Sequence, residues 1–556
     1  MGLKIQLDPH QQRAVDQALA SYRQGRRHAF IAHDVGIGKT FTSATIALRV
    51  AETQRVKYGD CTTWFVTLAG DVKSQQREQL NKLLGSDKYF DVLVIEGNAE
   101  TRANLLTAVA HIRPPFVVVN YDQLFAHWEQ LKKTVKPWDV LVLDESDLIQ
   151  NEGSNRSRMV QGVALLVYHR ILNTATPIWN RADGLYPQLK ICDPVGTEKV
   201  VVKEGAEARE VIIPTASEEW GEFADFARRY LVVENGRVVG TKNQRELHAR
   251  LVAFGVDIVA SEDVLDLDIA DPVEYKMPLT PSGQEIYNIV RAGIDAWIDE
   301  HEPAFARGGV GEKSNLKQQL LRQIPYARRA VALSPRNMLR LIKAKRARSM
   351  QDDESFANYV NEQQMAELER MSDGDLHGNT KAEWLVTYLK EHWADPRKPG
   401  GPVVYSEYTD VLDEIEAYLR RANITRAWGR IDGSQTKKRR EETRLGVQGG
   451  YLGMCLISDG GGRGLNLQRL SELIVLTPTW CPTQITQAFG RVKRRGQDNP
   501  IQLVWTVATP TIESKKMVNR LKKKERDTNS ILRGERGRRF DPMLNIGSLE
   551  EVREWL

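Results

Sequence analysis

The sequence predicts an α/β protein of two parallel-sheet lobes with a helical insert between them and a basic C-terminal extension. Three observations predict it. Short β-rich runs alternate with helical stretches from Gln11 to Pro194, a second such series runs from Lys381 to about Thr509, and the residues between follow a helical period. The length of 556 residues fits three or four compact units at roughly 100 to 200 residues each. With 41% hydrophobic and 27% charged residues, the composition excludes collagen-like, disordered and disulfide-scaffold classes. Lys plus Arg is 78 against 73 for Asp plus Glu, a net charge of +5, so an anionic partner has to be met by local basic surface.

The first lobe is expected over residues 1–215. Its strands are the runs HAFIAH, TWFVTL, DVLVIE, FVVVN, VLVLDE and HRILNTAT, and KVVVKEGAEAREVIIP (residues 199–214) reads as a β-hairpin ornament. Residues 216–379 form the helical insert, with stretches such as NLKQQLLRQI and FANYVNEQQMAELERM and a loop at Gly308, Gly309 and Gly311. The second lobe, 380–525, has PVVYSE, CLISD, ELIVLTP and IQLVWTV as strands. Residues 526–556 are a basic tail. The basic run begins at Lys515 and includes Lys522, Lys523, Lys524 and Arg526, which suit either a solvated helix face or phosphate contact. The closing SLEEVREWL has an apolar stripe of Leu549, Val552, Trp555 and Leu556, expected to dock on the protein's own body.

The four cysteines lie far apart with no CxxC pair, so neither a zinc site nor a disulfide framework is indicated. No apolar run approaches the roughly 20 residues of a membrane span. The start MGLKIQ lacks a signal-peptide core, and a soluble, intracellular protein is expected.

Three motifs carry chemistry. DVGIGKTFT, Asp34 to Thr42, follows a strand and opens a helix, as a phosphate-binding loop requires. Glycines such as Gly36 and Gly38 let backbone N–H groups approach a polyphosphate. Lys39 meets the β and γ charges, and the Thr40 hydroxyl can ligate magnesium. The more distant glycine of the general pattern is replaced by His33, read as a loop packing residue. LDES, Leu143 to Ser146, puts two carboxylates at a strand's carboxyl end: Asp144 to hold magnesium and Glu145 to orient or deprotonate the attacking water. An acidic pair there is usually only a turn, but downstream of the loop in the same sheet it becomes a nucleotide site. QAFGRVKRRGQ in the second lobe has Arg491 and Arg494 three apart, read as sharing one helix face and aimed at a γ-phosphate.

In order, LDPHQ, DVGIGKT, VTLAGDVKSQQRE, VVVNYDQL, LVLDES, NTATPIWN, VVYSEYTDVLDEIEAYL, IDGSQTKKRR, LISDGGGRGLNL, PTWCPTQITQAFGRVKRRGQ and TIES resemble the motif series of superfamily 2 helicases. The late wording, GGRGLNL, PxWxP and QAxGRxxRxGQ, is similar to the SWI/SNF-type ATPases, which are double-stranded DNA translocases. The resemblance spans about residues 7 to 520. It implies two RecA-like lobes, ATP and Mg2+ as cofactors, and DNA, double-stranded, as partner, with no membrane. It further implies that Gln11 reads the adenine edge, and that Gly36, Gly38, Lys39 and Thr40 cradle phosphate. Thr174 and Thr176 would couple nucleotide to DNA. Ser406, Gly433, Ser434, Ser458 and Gln487 would face the nucleic-acid backbone, with Trp480 near the groove. Gly464 and Asn466 fall in the motif joining both sites.

The sequence departs from the pattern in places. The DEAH-like box reads DESD, with Asp147 for histidine, and the basic pair and lysine before the DVL segment are Ile258, Val259 and Ser261. No further appendage is apparent, so a compact motor of viral or bacterial type is expected: a duplex translocase, with a strand-separating helicase or a non-motor nucleotide-binding scaffold as alternatives.

Overall fold

The computed structural model describes residues 4–69, 71–86, 88, 90–179, 181–234, 237–349, 355–372, 378–459, 465–517, 528, 531–533 and 549–556. Contacts divide the chain into two units, Met1–Asp266 with Lys524–Met543, and Leu267–Lys523 with Leu544–Leu556.

In the first unit the β-rich runs become one wholly parallel seven-stranded sheet. Its order is Val256–Val259, His28–His33, His169–Asn173, Val140–Asp144, Thr63–Thr67, Phe116–Asn120 and Val92–Val94. Nearly every strand residue is buried, the reason these strands read as continuous apolar runs instead of alternating ones. Successive side chains still serve opposite faces. Phe30, Trp64 and Leu141 join one core layer; Ile31, Phe65 and Val142 join the other, each under its own helices. Parallel strands deliver their following loops to one edge, and that edge holds His33–Lys39, Thr67, Asp144–Glu145 and Asn173–Thr174.

Residues 199–214 form the expected hairpin, Glu198–Glu204 paired antiparallel with Glu207–Ile213. The boundary of the first unit, however, lies beyond residue 215. Residues 216–266, expected to begin the helical insert, belong to the first unit and give it the edge strand Val256–Val259, paired with His28–His33. Four residues of VDIVASEDVL are too few to show a strand period in sequence.

The second unit has a parallel six-stranded sheet, ordered Val273–Pro278, Gln502–Thr509, Glu472–Val475, Pro402–Tyr405, Met454–Ile457 and Trp428–Ile431. The helices Pro281–Arg307, Val310–Ala330 and Pro335–Ser349 are no separate module. Trp297, Ile324 and Ile342 share one core with Val404, Leu456, Ile474 and Val504 of the sheet. The glycine break is narrower than expected, because Gly311 lies in the first turn of the helix from Val310. The C-terminal Glu550–Trp555 closes this core with Leu549, Val552, Trp555 and Leu556 buried, and Tyr287 Oη donates to the Leu556 carbonyl at 3.0 Å. The capping Ser548 and the tail residues Lys522, Lys523, Lys524 and Arg526 lie outside the described residues. No described helix is long and apolar enough to cross a membrane.

Candidate functional site

The strand His28–His33 runs into a loop whose Gly36 and Gly38 have φ of 87° and 85°, in the left-handed region open to glycine. At Gly38 a second constraint applies, since a Cβ would lie 2.2 Å from Gln11 Nε2. Gln11 is buried with both ends of its amide engaged: Nε2 donates to the loop's Ile37 carbonyl at 3.0 Å, and Oε1 accepts from Asp8 N, the cap of its own helix, at 2.9 Å. The residue expected to read adenine thus also holds the loop. His10 Nε2 lies 3.0 Å from the same Ile37 carbonyl.

Lys39 opens the helix Lys39–Tyr58, and its Nζ donates to the Asp34 carbonyl at 3.1 Å. Thr40 follows, half-buried. The positive end of the helix dipole faces the loop here and favours an anion.

Asp144 ends its strand almost fully buried. Its Oδ2 accepts from Gln76 Nε2 at 2.7 Å and Thr67 Oγ1 at 3.3 Å, and its Oδ1 from Asn173 Nδ2 at 2.8 Å. Burial, then the neighbouring Glu145 charge, pushes its carboxyl up to about 7, while Lys39 and the hydrogen bonds oppose the rise. Glu145 stands at φ 53°, a left-handed conformation that costs a non-glycine residue about 1 kcal/mol or more. Tyr121 Oη fixes the turn by donating to the Asp144 carbonyl at 2.7 Å.

Magnesium fits these donors. Glu145 Oε2 is buried with no hydrogen-bond partner, and the Asp144 carboxyl is starved of positive charge beyond what Lys39 supplies. Among the described residues no three His, Cys, Asp or Glu side chains gather as a metal cage. A magnesium ion that takes most of its ligands from phosphate and water does not require one.

Thr174 and Thr176 sit beside the acidic box. Thr174 Oγ1 donates to Asp147 Oδ1 at 2.6 Å and accepts from Thr176 N at 3.0 Å. The aspartate that replaces histidine in the box is therefore the acceptor for the TATP segment.

In the second unit Arg491 is buried and Arg494 half-buried. They do not share a helix face, because the helix Pro482–Phe489 ends at Gly490 and both arginines occupy the following turns. Arg494 Nε donates to the Gly490 carbonyl at 2.8 Å, and the Arg491 carbonyl accepts from Leu467 N at 3.1 Å, joining the GLNL segment to the arginine turn. Asn466 Oδ1 is buried without a partner, and Gly464 lies outside the described residues.

The residues expected to face nucleic acid divide by exposure. Gly433 and Ser434 are exposed, with Ser434 Oγ on Asp432 Oδ1 at 2.6 Å. Ser458 and Gln487 are buried. Ser406 is fully buried and its hydroxyl is occupied at 3.0 Å by Thr477 Oγ1 and at 3.2 Å by Tyr408 N, so it shapes its loop from inside instead of meeting phosphate. Trp480 is half-buried against the unit's core.

Two arrangements escaped the sequence reading. Lys381 and Glu513 form a fully buried ion pair at 2.7 Å, tying the helix Thr380–His392 to the TIES segment. Arg328 reaches the SEYTD and PTW segments, with Nη2 2.5 Å from Glu407 Oε2 and 2.6 Å from the Pro478 carbonyl. Both join residues distant in sequence and leave no local pattern.

Two family models match: "Type III restriction enzyme, res subunit" over residues 4–178, and "Helicase conserved C-terminal domain" over 380–496. A human "DNA excision repair protein ERCC-6-like" is 22% identical over 99% of this chain and 43% of its own length. A "TATA-binding protein-associated factor mot1" of Schizosaccharomyces pombe is 21% identical over 93% of this chain and 26% of its own. The chain thus spans between a quarter and under half of these relatives. A solved structure described as "Sulfolobus solfataricus SWI2/SNF2 ATPase core in complex with dsDNA" is 17% identical over 95% of this chain and 97% of that one, with a TM-score of 0.38. The fold of each unit rests on its own strand order.

Proposed function

The chain belongs to the SWI/SNF-type ATPases of helicase superfamily 2, and from that premise we propose that it is a DNA-dependent ATPase that moves along double-stranded DNA. The observation that carries the ATPase reading is the Asp144–Glu145 pair at the carboxyl edge of the sheet that also holds the glycine loop, with the Lys39 charge acting on Asp144.

In this reading the loop N–H groups and Lys39 bind the β and γ phosphates. Asp144 and Thr40 would hold magnesium, which neutralises phosphate charge when bound. Glu145, its Oε2 unengaged, orients the attacking water and takes its proton. Asp147 and Thr174 transmit the state of the acidic box to the TATP segment through their 2.6 Å hydrogen bond. Arg491 and Arg494 stabilise the γ-phosphate charge as it develops.

The duplex substrate is supported by the wording of the late motifs and by relatives named for DNA repair, among them a "DNA repair and recombination protein RDH54" of Saccharomyces cerevisiae. Contacts would follow the phosphate backbone, so stimulation is indifferent to sequence and falls with salt. The test is ATP turnover with duplex, single-stranded and forked DNA and with RNA. Duplex should stimulate most. Stimulation mainly by single strands would replace this reading with a strand-separating helicase, and turnover unaffected by any nucleic acid would leave a nucleotide-binding scaffold.

A further inference from the structure

We propose that residues 256–261 are a brace that sets the nucleotide-binding loop, with Asp257 and Ser261 as its positioning residues. The proposal rests on the loop being the ATP site. The strand Val256–Val259 pairs with the strand that feeds the loop, His33 opposite Val259, and the pairing continues past the strand end, where Asp34 N donates to the Val259 carbonyl at 2.9 Å. Two side-chain bonds then cross between the same segments. His33 Nε2 lies 2.6 Å from Asp257 Oδ2, with the imidazole fully buried. Ser261 donates to Asp34 Oδ2 through its hydroxyl and, at 3.4 Å, through its N–H.

Asp34 is the centre of this arrangement. Its other carboxyl oxygen accepts from Val35 N at 2.7 Å, and its carbonyl accepts from Lys39 Nζ at 3.1 Å. Ser261 is therefore joined through one residue to the ammonium group assigned to the β and γ phosphates. Burial pulls the His33 imidazole pKa down, with Asp257 opposing and Lys39 and His10 assisting, and because a carboxylate can only accept, the ring donates from Nε2 to Asp257. Both partners occupy positions where this chain departs from its family: His33 replaces the loop glycine, and Ser261 stands where a lysine is usual. The first segment of this unit ends at Asp266, so the chain passes into the second unit only five residues after Ser261. The loop is thus set by the very segment that leads to the second unit.

The test uses the full chain, a fluorescent ATP analogue for binding, and ATP turnover. Ser261→Ala removes one charge-assisted hydrogen bond from Asp34 and should weaken analogue binding and raise the KM for ATP by about tenfold. Its kcat should stay within about twofold, because the loop holds ground and transition states alike. Melting temperature should match the parent's. Asp257→Leu should behave similarly, whereas Asp257→Asn, which keeps an acceptor for His33, should bind like the parent. In an Asp34→Ala background Ser261→Ala should have no further effect. If Lys39→Ala loses the analogue while Ser261→Ala binds it as the parent does, the brace is wrong and the ATP site stands. If the parent itself binds no analogue, both fall.

Discussion

Replacing Asp144 by Asn should stabilise the nucleotide-free protein while ending magnesium-dependent nucleotide binding. Asp144 is buried with two amides and a hydroxyl on its oxygens, and burial with the Glu145 charge lifts its carboxyl from 3.8 to about 7. An acid raised on folding gives up stability as pH rises. The folded state keeps the proton while the unfolded chain releases it, so the loss begins near pH 4 and is complete above pH 7. Each pH unit of that interval is equivalent to about 1.4 kcal/mol. Asn removes that charge without orphaning its neighbours, because Gln76 Oε1 and Asn173 Oδ1 are both buried without partners. Turning either amide over offers an acceptor to the new Nδ2. At about 2 to 4 °C per kcal/mol for a unit of this size, the variant should melt several degrees above the parent at pH 8, with the gap closing as pH falls toward 4. Thermal melts of both proteins across that range, with chelator present, read it directly. A variant less stable than the parent at pH 8, or a gap independent of pH, would refute the reasoning that Asp144 is a charge awaiting a cation.

The remaining expectations concern turnover and the second unit. Lys39→Ala should weaken nucleotide binding, while Glu145→Gln should bind ATP and fail to hydrolyse it, as a filter-binding assay with single-turnover kinetics would show. Arg491→Ala and Arg494→Ala should each lower kcat by about 10³ with a modest change in ATP affinity, and a collapse of affinity with preserved kcat would make them ground-state binders. Lys381→Met leaves the Glu513 charge buried and unpaired, and should cost the second unit about 3 to 5 kcal/mol in denaturant melts; adding Glu513→Gln should recover much of it.

The sequence shows what depends on local rules and hides what depends on distance. The glycine loop is legible because Gly36 and Gly38 need a backbone that only glycine adopts freely, and Asp144 because an apolar run ends abruptly in two carboxylates. The central strands are legible because they are buried on both faces. Edge strands Val256–Val259, Val273–Pro278 and Trp428–Ile431 are short or mixed in polarity, and so escape. The insert looked separate because its helical period stops where the second sheet begins, yet Trp297 and Val404 share a core that no local pattern connects. The three-residue spacing of Arg491 and Arg494 reads as one helix face, but the helix ends at Phe489 with Gly490 as its cap, before either arginine. The Asp257–His33 and Lys381–Glu513 pairs join residues 224 and 132 positions apart.

The central claim is movement along duplex DNA driven by ATP, and displacement of a third strand from a triplex tests it most directly. The parent chain with ATP should release the third strand. Glu145→Gln should not, nor should the parent with a non-hydrolysable analogue, and none should unwind a plain tailed duplex. Unwinding of the tailed duplex with the triplex left intact would contradict the account.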